Sequence, residues 1–206
     1  MFQAVIFDFG GVITESPFEA FNRLENRLGI PLNSVRRINA TNPDTNAWAR
    51  FERAEIDASE FDAIFTAEAR VLGIGLQGRD VLSCLQGAVR PTMLEALRRI
   101  SRQFRTGCIT NNVKSMPPDH GRDPLVAEAF SLFGHVIESS KIGIRKPDPR
   151  IYQMMLEHLQ VPAERSVYLD DLGINLKPAK ALGMTTIKVE TAAPAIAELE
   201  RHLGMA

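Results

Sequence analysis

Four polar groups in this sequence follow short apolar segments, and their side chains suit chemistry on a phosphoryl group. They are Asp8, the pair Thr110-Asn111, Lys146 in KIGIRKPDPR, and the pair Asp170-Asp171. Carboxylates from two separate segments can hold a hard cation such as magnesium, which prefers oxygen ligands and pairs with substrate phosphates. A carboxylate can also act as a nucleophile, while a lysine and a hydroxyl stabilise charge on phosphoryl oxygens. If the four segments converge, they predict one site that binds and transfers a phosphoryl group.

The segments that carry these groups have the pattern of strands in a parallel sheet. Five short runs are rich in Val, Ile, Phe or Tyr, and four are almost continuously hydrophobic, as expected for strands covered on both faces. Their alternation with stretches of helical spacing predicts an α/β fold with a doubly wound parallel sheet. In such a sheet the ligand site lies beyond the carboxyl ends of the strands, near the switch in strand order. The predicted strands are 4–9, 104–110, 135–139, 166–171 and 185–189, and the predicted helices are 92–101, 124–132, 149–160 and 176–182.

Residues 16–88 break this alternation and predict a helical insertion after the first strand. Apolar residues recur there at spacings of three and four, and no strand pattern is present. We therefore expect residues 1–15 and 89–206 to form the α/β core, with 16–88 as a small helical cap.

The composition is that of an ordinary globular protein, and it excludes several functional classes. The chain has 206 residues, of which 45% are hydrophobic and 24% charged, with a formal net charge of -1. It has no single-sign block that would favour nucleic acid or an anionic membrane. The two cysteines form no CxxC motif, and no run has the length of a membrane helix or the pattern of a signal peptide. We expect a cytoplasmic monomer or homodimer.

Four segments, in this order, carry a resemblance to a known family: DFGGV, ITNN, RKPDPRIY and YLDDLGINLKPAKALGM. They resemble the four motifs of the haloacid dehalogenase-like (HAD) hydrolase superfamily, most strongly the branch containing the N-terminal phosphatase domain of mammalian soluble epoxide hydrolases. The resemblance implies a Rossmann-like core, a C1-type helical cap, Mg²⁺ as cofactor and a small phosphorylated metabolite as substrate. It also implies hydrolysis of a phosphate ester through an aspartyl-phosphate on Asp8.

The resemblance implies a catalytic and phosphate-binding role for four residues of this sequence. Asp8 would be the nucleophile, and Lys146 would pair with it and stabilise the phosphoryl charge. Thr110 and Asn111 would bind the phosphoryl group, with Thr110 also serving catalysis. Lys141 is the rival to Lys146, but it lacks the flanking Pro-Asp-Pro context and is expected to be structural or exposed at the rim.

The resemblance also implies which residues would bind the metal. Asp8 and Asp171 would be direct ligands, together with the backbone carbonyl of Gly10. Asp170 would lie in the outer shell, and Asn175, one helical turn further on, would orient its neighbours.

Gly10 departs from the pattern of the family, whose phosphatases typically carry a second aspartate at this position as a general acid. Glycine retains the backbone carbonyl for the metal but cannot transfer a proton. Loss of a general acid costs about a hundred- to ten-thousandfold in rate. Such a loss is smallest for leaving groups that are already stable as anions. We therefore expect a preference for sugar 1-phosphates, acyl phosphates or aryl phosphates over alkyl phosphates.

Two alternative functions follow from the same residues. A phosphate-binding protein with weak or no turnover is the first alternative, and Gly10 is its support. A 2-haloacid dehalogenase is the second, because such enzymes also lack an acid two residues after the nucleophile. The pair Asp170-Asp171 argues against it, since two uncompensated carboxylates would repel an anionic substrate.

Several other side chains have less specific expectations. The four histidines have no metal-ligand spacing and are expected to be structural, although His120, in the polar loop 114–124, is a candidate replacement proton donor. In the predicted cap, Trp48, Arg50, Phe51 and Arg53 are candidates for substrate contact, and interior packing is the favoured role for the two aromatic residues.

Overall fold

A parallel sheet of five strands forms the centre of the computed structural model, which describes residues 1–85, 87–113 and 123–205. The strand order is β3-β2-β1-β4-β5, so the order reverses between β1 and β4. All five predicted strands are present, and the predicted doubly wound α/β fold is confirmed. The strands are β1 (Ala4–Phe7), β2 (Arg105–Thr110), β3 (His135–Glu138), β4 (Ser166–Asp170) and β5 (Thr185–Lys188).

The central strand is buried on both faces, which explains why its sequence is a continuous apolar run. All four residues of β1 have no exposed surface. Val5 and Phe7 point to an apolar cluster that includes residues of the helices α6 (Pro91–Ser101), α7 (Pro124–Ser131) and α11 (Ala192–Leu203). Ala4 and Ile6 point to a second cluster, which includes residues of α9 (Pro149–Leu159) and α10 (Gly173–Ala181). Burial on both faces fixes the register of β1, and with it the position at which Asp8 leaves the sheet.

The helices begin where the sequence provides prolines or capping residues. Prolines occupy the first helical position of α6, α7 and α9, where the missing N–H is not needed. The predicted helix at 176–182 in fact begins at residue 173, because Asn175 N–H already donates to the carbonyl of Leu172 (2.9 Å). None of the described helices combines the length and apolarity needed to cross a bilayer. The helices are α1 (Pro17–Leu28), α2 (Ser34–Ala40), α3 (Ala47–Glu52), α4 (Ala58–Val71), α5 (Gly78–Leu82), α6 (Pro91–Ser101), α7 (Pro124–Ser131), α8 (Ser139–Ile142), α9 (Pro149–Leu159), α10 (Gly173–Ala181) and α11 (Ala192–Leu203).

The helical insertion, residues 16–88, contains α1 to α5 and has an apolar interior of its own. Phe21, Phe51, Phe61 and Phe65 are buried there and stack or pack edge-on with their neighbours. Its two linkers to the sheet lie side by side. Thr14 pairs with Val89 in an antiparallel bridge, which is flanked by hydrogen bonds from Glu15 N–H to Ala88 and from Arg90 N–H to Ile13, both 2.8 Å. The chain therefore enters and leaves the insertion at one place, next to the end of β1.

Candidate active site

Asp8 leaves β1 in a tight turn that its two following glycines make possible. Gly10 has φ -71° and ψ 126°, an extended conformation that any residue can adopt, and no atom lies within 4 Å of a β-carbon built on it. Gly11 has φ +82°, and a β-carbon there would lie 2.2 Å from Oδ2 of Asp171. Glycine is therefore required at position 11, both for the left-handed backbone and for the close approach of Asp171. Position 10 imposes no such requirement.

A buried lysine joins the carboxylates at the ends of β1 and β4. Nζ of Lys146 lies 2.7 Å from Oδ1 of Asp8 and 2.8 Å from Oδ2 of Asp170, and the lysine is 1% exposed. Burial alone would lower the pKa of Lys146, but the two carboxylates raise it above its ordinary value. The lysine is therefore charged, and it is placed where it can neutralise negative charge beside Asp8.

The two oxygens of the Asp8 carboxylate differ in their partners within the described part of the chain. Oδ1 accepts both the Lys146 contact and a hydrogen bond from Phe9 N–H (2.6 Å), whereas Oδ2 accepts none from the residues that the structure describes. Burial raises the pKa of Asp8 well above its usual value; Lys146 opposes this shift, while Asp170 and Asp171 add to it. A nearby cation would relieve this accumulation of negative charge.

Asp170 is held rigidly and has no exposed surface. Its Oδ1 accepts hydrogen bonds from Leu172 N–H (2.8 Å) and Asn175 Nδ2 (3.0 Å). Its Oδ2 accepts from Lys146 Nζ, from Asn175 Nδ2 (3.1 Å) and from the hydroxyl of Tyr168. With both oxygens occupied by protein donors, Asp170 is arranged to orient Lys146 and the chain that follows β4.

Asp171 completes a group of three acids that could hold a divalent cation. One carboxylate oxygen from each of Asp8, Asp170 and Asp171 lies within 4.8 Å of the others. Oδ2 of Asp171 accepts a hydrogen bond from the Ser16 hydroxyl (3.1 Å), and burial together with Asp170 raises the pKa of Asp171 to about 6. Three carboxylates supply the hard oxygen donors that Mg²⁺ prefers, so the residues present fit this cofactor.

Thr110 ends β2 and Asn111 follows it, as predicted, and the amide of Asn111 binds the backbone of Lys146. Its Oδ1 accepts from Lys146 N–H (2.9 Å), and its Nδ2 donates to the Lys146 carbonyl (3.1 Å). The side chain therefore clamps the backbone that carries the lysine. Nδ2 also donates to Oε2 of Glu52 (3.3 Å), so a hydrogen bond from this amide to a phosphoryl oxygen would replace either that bond or the one to the Lys146 carbonyl. Thr110 is 8% exposed.

The other predicted residues that the structure describes have partners outside the acidic group. Lys141 has a side chain that is 71% exposed and pairs with Glu138. Phe51 is buried in the interior of the insertion, and Trp48 packs edge-on against Phe21 and Phe61 there, so the favoured packing role of both is confirmed. His120 lies outside the described residues.

Arg50 and Arg53, the two basic candidates of the insertion, both have an acidic neighbour on their own segment. Arg53 pairs with Glu55 at 2.6 Å, and Arg50 lies 3.9 Å from the same carboxylate.

Sequence reasoning missed two residues that contribute to this arrangement. Tyr168 precedes Asp170 by two positions on one strand, so the alternation of side chains places both on the same face, and this signal was available. Glu52 extends from α3 to Arg145 (2.6 Å) and to Asn111 (3.3 Å). Nothing in the sequence separates it from the other charged residues of the insertion.

Comparisons with known proteins place this chain in a family. Residues 2–183 match the sequence model of the haloacid dehalogenase-like hydrolases. The chain is 32% identical to acyl-CoA dehydrogenase family member 10 of Mus musculus and 31% identical to bifunctional epoxide hydrolase 2 of Sus scrofa, with 98% of the chain aligned in each case. It spans only 19% and 39% of the lengths of these two proteins. It is also 26% identical to a sesquiterpene phosphatase of Aspergillus oryzae, over 98% of this chain and 97% of that protein.

Solved structures share the fold over nearly the whole chain. A HAD family enzyme from Bacteroides thetaiotaomicron, in complex with magnesium and inorganic phosphate, has a TM-score of 0.62 at 16% identity, covering 91% of this chain and 94% of that one. An L-2-haloacid dehalogenase from Xanthobacter autotrophicus has a TM-score of 0.61 at 19% identity, covering 100% of this chain and 85% of that one. The family match, the two relatives above 30% identity and the doubly wound sheet agree: this chain belongs to the haloacid dehalogenase-like hydrolases.

Proposed function

We propose that this protein is a magnesium-dependent phosphatase that hydrolyses small phosphate esters through a phosphoryl group carried on Asp8. The observation that carries the proposal is the buried Lys146, which joins Asp8 to Asp170 with contacts of 2.7 and 2.8 Å beside a third acid, Asp171. Relatives that are named as phosphatases, and a neighbouring structure that holds magnesium and inorganic phosphate, support the same reading.

The chain's own residues would act in two displacements. In the first, an Asp8 oxygen forms a bond to phosphorus while the bond to the ester oxygen breaks; the electron pair leaves with that oxygen, which takes a proton from solvent. In the second, water attacks phosphorus while the bond between phosphorus and the Asp8 oxygen breaks; the Asp8 carboxylate is restored, and the protons of the water leave with inorganic phosphate. Lys146 and the Thr110 hydroxyl would stabilise the phosphoryl oxygens in both steps. Magnesium, held by Asp8, Asp171 and the carbonyl of Gly10, would supply further charge neutralisation.

Gly10 sets the expected substrate preference. It offers no proton to the departing oxygen, so the first displacement should favour esters whose leaving group is stable as an anion. The extended backbone and open space at this position mean that an aspartate can be introduced there without strain. The missing acid is therefore a difference in chemistry that a single substitution can reverse.

A panel of phosphate esters tests the proposal, using 4-nitrophenyl phosphate, a sugar 1-phosphate and glycerol 3-phosphate with and without magnesium. We expect magnesium-dependent release of phosphate from the first two substrates, and its loss in Asp8→Asn. Gly10→Asp should raise turnover of glycerol 3-phosphate by about a hundredfold. Gly10→Ala is the matched control, because it changes the same backbone position without adding an acid.

Two results would contradict the proposal in different ways. Tight magnesium-dependent binding of these esters without release by any variant would identify a phosphate-binding protein. Comparable turnover of glycerol 3-phosphate and the sugar 1-phosphate by the unaltered protein would contradict the predicted leaving-group preference. The assignment as a phosphatase would still stand. A 2-haloacid dehalogenase would release halide from a 2-haloacid without magnesium.

A further inference from the structure

Glu52 of the helical insertion is buried at the boundary with the sheet and is bound from both sides. It is the last residue of α3 and is 6% exposed. Its carboxylate accepts hydrogen bonds from Trp48 Nε1 (2.8 Å) on its own helix, and from Arg145 Nε (2.6 Å) and Asn111 Nδ2 (3.3 Å) on the core. Its backbone carbonyl accepts a further hydrogen bond from the Ser139 hydroxyl (2.7 Å). A single residue thus connects the insertion to three points of the core.

The two core side chains that donate to the Glu52 carboxylate, Arg145 and Asn111, are both directly connected to Lys146. Arg145 precedes Lys146 in the chain, and it also donates from Nη1 to the carbonyl of Pro43 in the insertion (3.2 Å). The Asn111 amide bonds both the N–H and the carbonyl of Lys146. Glu52 therefore restrains the lysine through its preceding residue and through the amide that clamps its backbone.

Stability alone is not a sufficient explanation for the ion pair between Glu52 and Arg145, whose side chains are 8% and 19% exposed. Removing two charges from water costs about as much as their attraction returns, so a buried pair is weak evidence of a stabilising role. A pair of this kind can instead fix a unique arrangement of the groups around it. Here the arrangement that it would fix is the segment that brings Nζ of Lys146 to Asp8.

We propose that Glu52 is a positioning residue for Lys146, and that contact of α3 with Arg145 and Asn111 sets the lysine in place against Asp8. The proposal rests on the phosphatase function for its effect on turnover. Because Lys146 neutralises charge that grows in the transition state, its displacement should lower kcat more than it changes KM.

The first test measures backbone hydrogen exchange at Lys146 in the magnesium-free full chain, because this readout does not require activity. The Lys146 N–H donates to Asn111 in the structure, so Glu52→Ala should make its exchange faster. Glu55→Gln is the matched control, since Glu55 lies three residues away in the same insertion and pairs only with Arg50 and Arg53 among the described residues. We expect Glu55→Gln to leave exchange at Lys146 unchanged.

The second test separates positioning from stability. Glu52→Gln leaves Arg145 without its buried partner, whereas the double variant Glu52→Gln with Arg145→Met leaves no unpaired charge. The double variant should recover thermal stability relative to Glu52→Gln. Its kcat for 4-nitrophenyl phosphate should nevertheless stay lower than that of the unaltered protein by up to about a hundredfold, with KM within about threefold. Exchange at Lys146 should stay fast in both variants.

The single tryptophan of the chain gives an independent signal, because Trp48 donates to Glu52. The substitution Arg145→Met leaves Trp48 and Glu52 unaltered but removes a core partner of the Glu52 carboxylate. If the carboxylate then moves, the fluorescence emission of Trp48 should shift. The proposal is overturned if exchange at Lys146 is unchanged in Glu52→Ala, or if the double variant recovers kcat together with stability. If no protein in the set releases phosphate but exchange responds as expected, the phosphatase function fails and the positioning of Lys146 by Glu52 stands.

Discussion

Replacing Gly11 with alanine tests whether the turn after Asp8 is shaped by its approach to Asp171. Gly11 has a left-handed backbone, and a β-carbon there would lie 2.2 Å from Oδ2 of Asp171. The neighbouring Gly10 is the matched control, because its backbone is extended and the space beside it is open. The same substitution at two adjacent glycines should therefore have opposite results.

Two costs combine in Gly11→Ala. A residue with a β-carbon in the left-handed region costs about 1–2 kcal/mol, and the Asp171 carboxylate must also withdraw by about 1 Å to reach an ordinary contact distance. We expect the free energy of unfolding to fall by about 2 kcal/mol, which lowers Tm by about 4–8 °C in a chain of this size. Gly10→Ala instead restricts the unfolded chain and should be neutral or stabilising by up to about 1 kcal/mol.

Urea denaturation without metal measures both free energies, and titration calorimetry measures magnesium binding. Gly11→Ala should weaken magnesium binding because it moves a proposed ligand, and Gly10→Ala should not. Equal stability of the two variants, within about 0.5 kcal/mol, would refute the reasoning, because it would mean that Asp171 and the turn do not approach each other as described.

Three further substitutions test the surroundings of the site and the edge of the sheet. Tyr168→Phe removes a donor to the buried Asp170 carboxylate and should cost about 2 kcal/mol of unfolding free energy in urea, whereas Tyr152→Phe, which removes a donor to the neutral carbonyl of Asn175, should cost about 1 kcal/mol; a larger loss in Tyr152→Phe would contradict the assigned partners. Burial, and the stacked ring of His158, lower the pKa of His135, so the unfolded chain binds its proton more readily. The resulting contribution to stability is present above the ordinary histidine pKa of about 6.5 and is lost as pH falls through the lowered pKa. His135→Gln should therefore flatten the decline in the free energy of unfolding between about pH 7 and 5. Parallel stability curves for the two proteins across this pH range would contradict the prediction.

The sequence predicted the strands well because the signal was local. Each strand of the sheet is a short apolar run. Asp8 directly follows β1, and Thr110 and Asp170 end β2 and β4, so the convergence of these three residues at one edge follows from a parallel topology alone. The prolines at the starts of α6, α7 and α9 also fixed helix boundaries to within a residue. The division into core and cap, and the role of each site residue, stay predictions.

The contacts between distant segments could not be predicted in the same way. The Asn111 amide binds the backbone of Lys146, and Glu52 extends from the insertion to Arg145, because the folded chain brings those groups within hydrogen-bond reach. No spacing in the sequence records such a pairing. Helix α10 begins three residues before the predicted start, because its first turn is set by a hydrogen bond to the Leu172 carbonyl, whereas the apolar pattern begins later.

The bridge between Thr14 and Val89 has a consequence for how this protein can change over evolution. Seen from the sheet, the whole insertion occupies the position of a hairpin turn, since the chain departs and returns at two hydrogen-bonded neighbours. A segment of another length or architecture can be accommodated between these residues without shifting the register of β1. If Glu52 positions Lys146 as proposed, each such replacement must supply its own contact to the segment that carries the lysine.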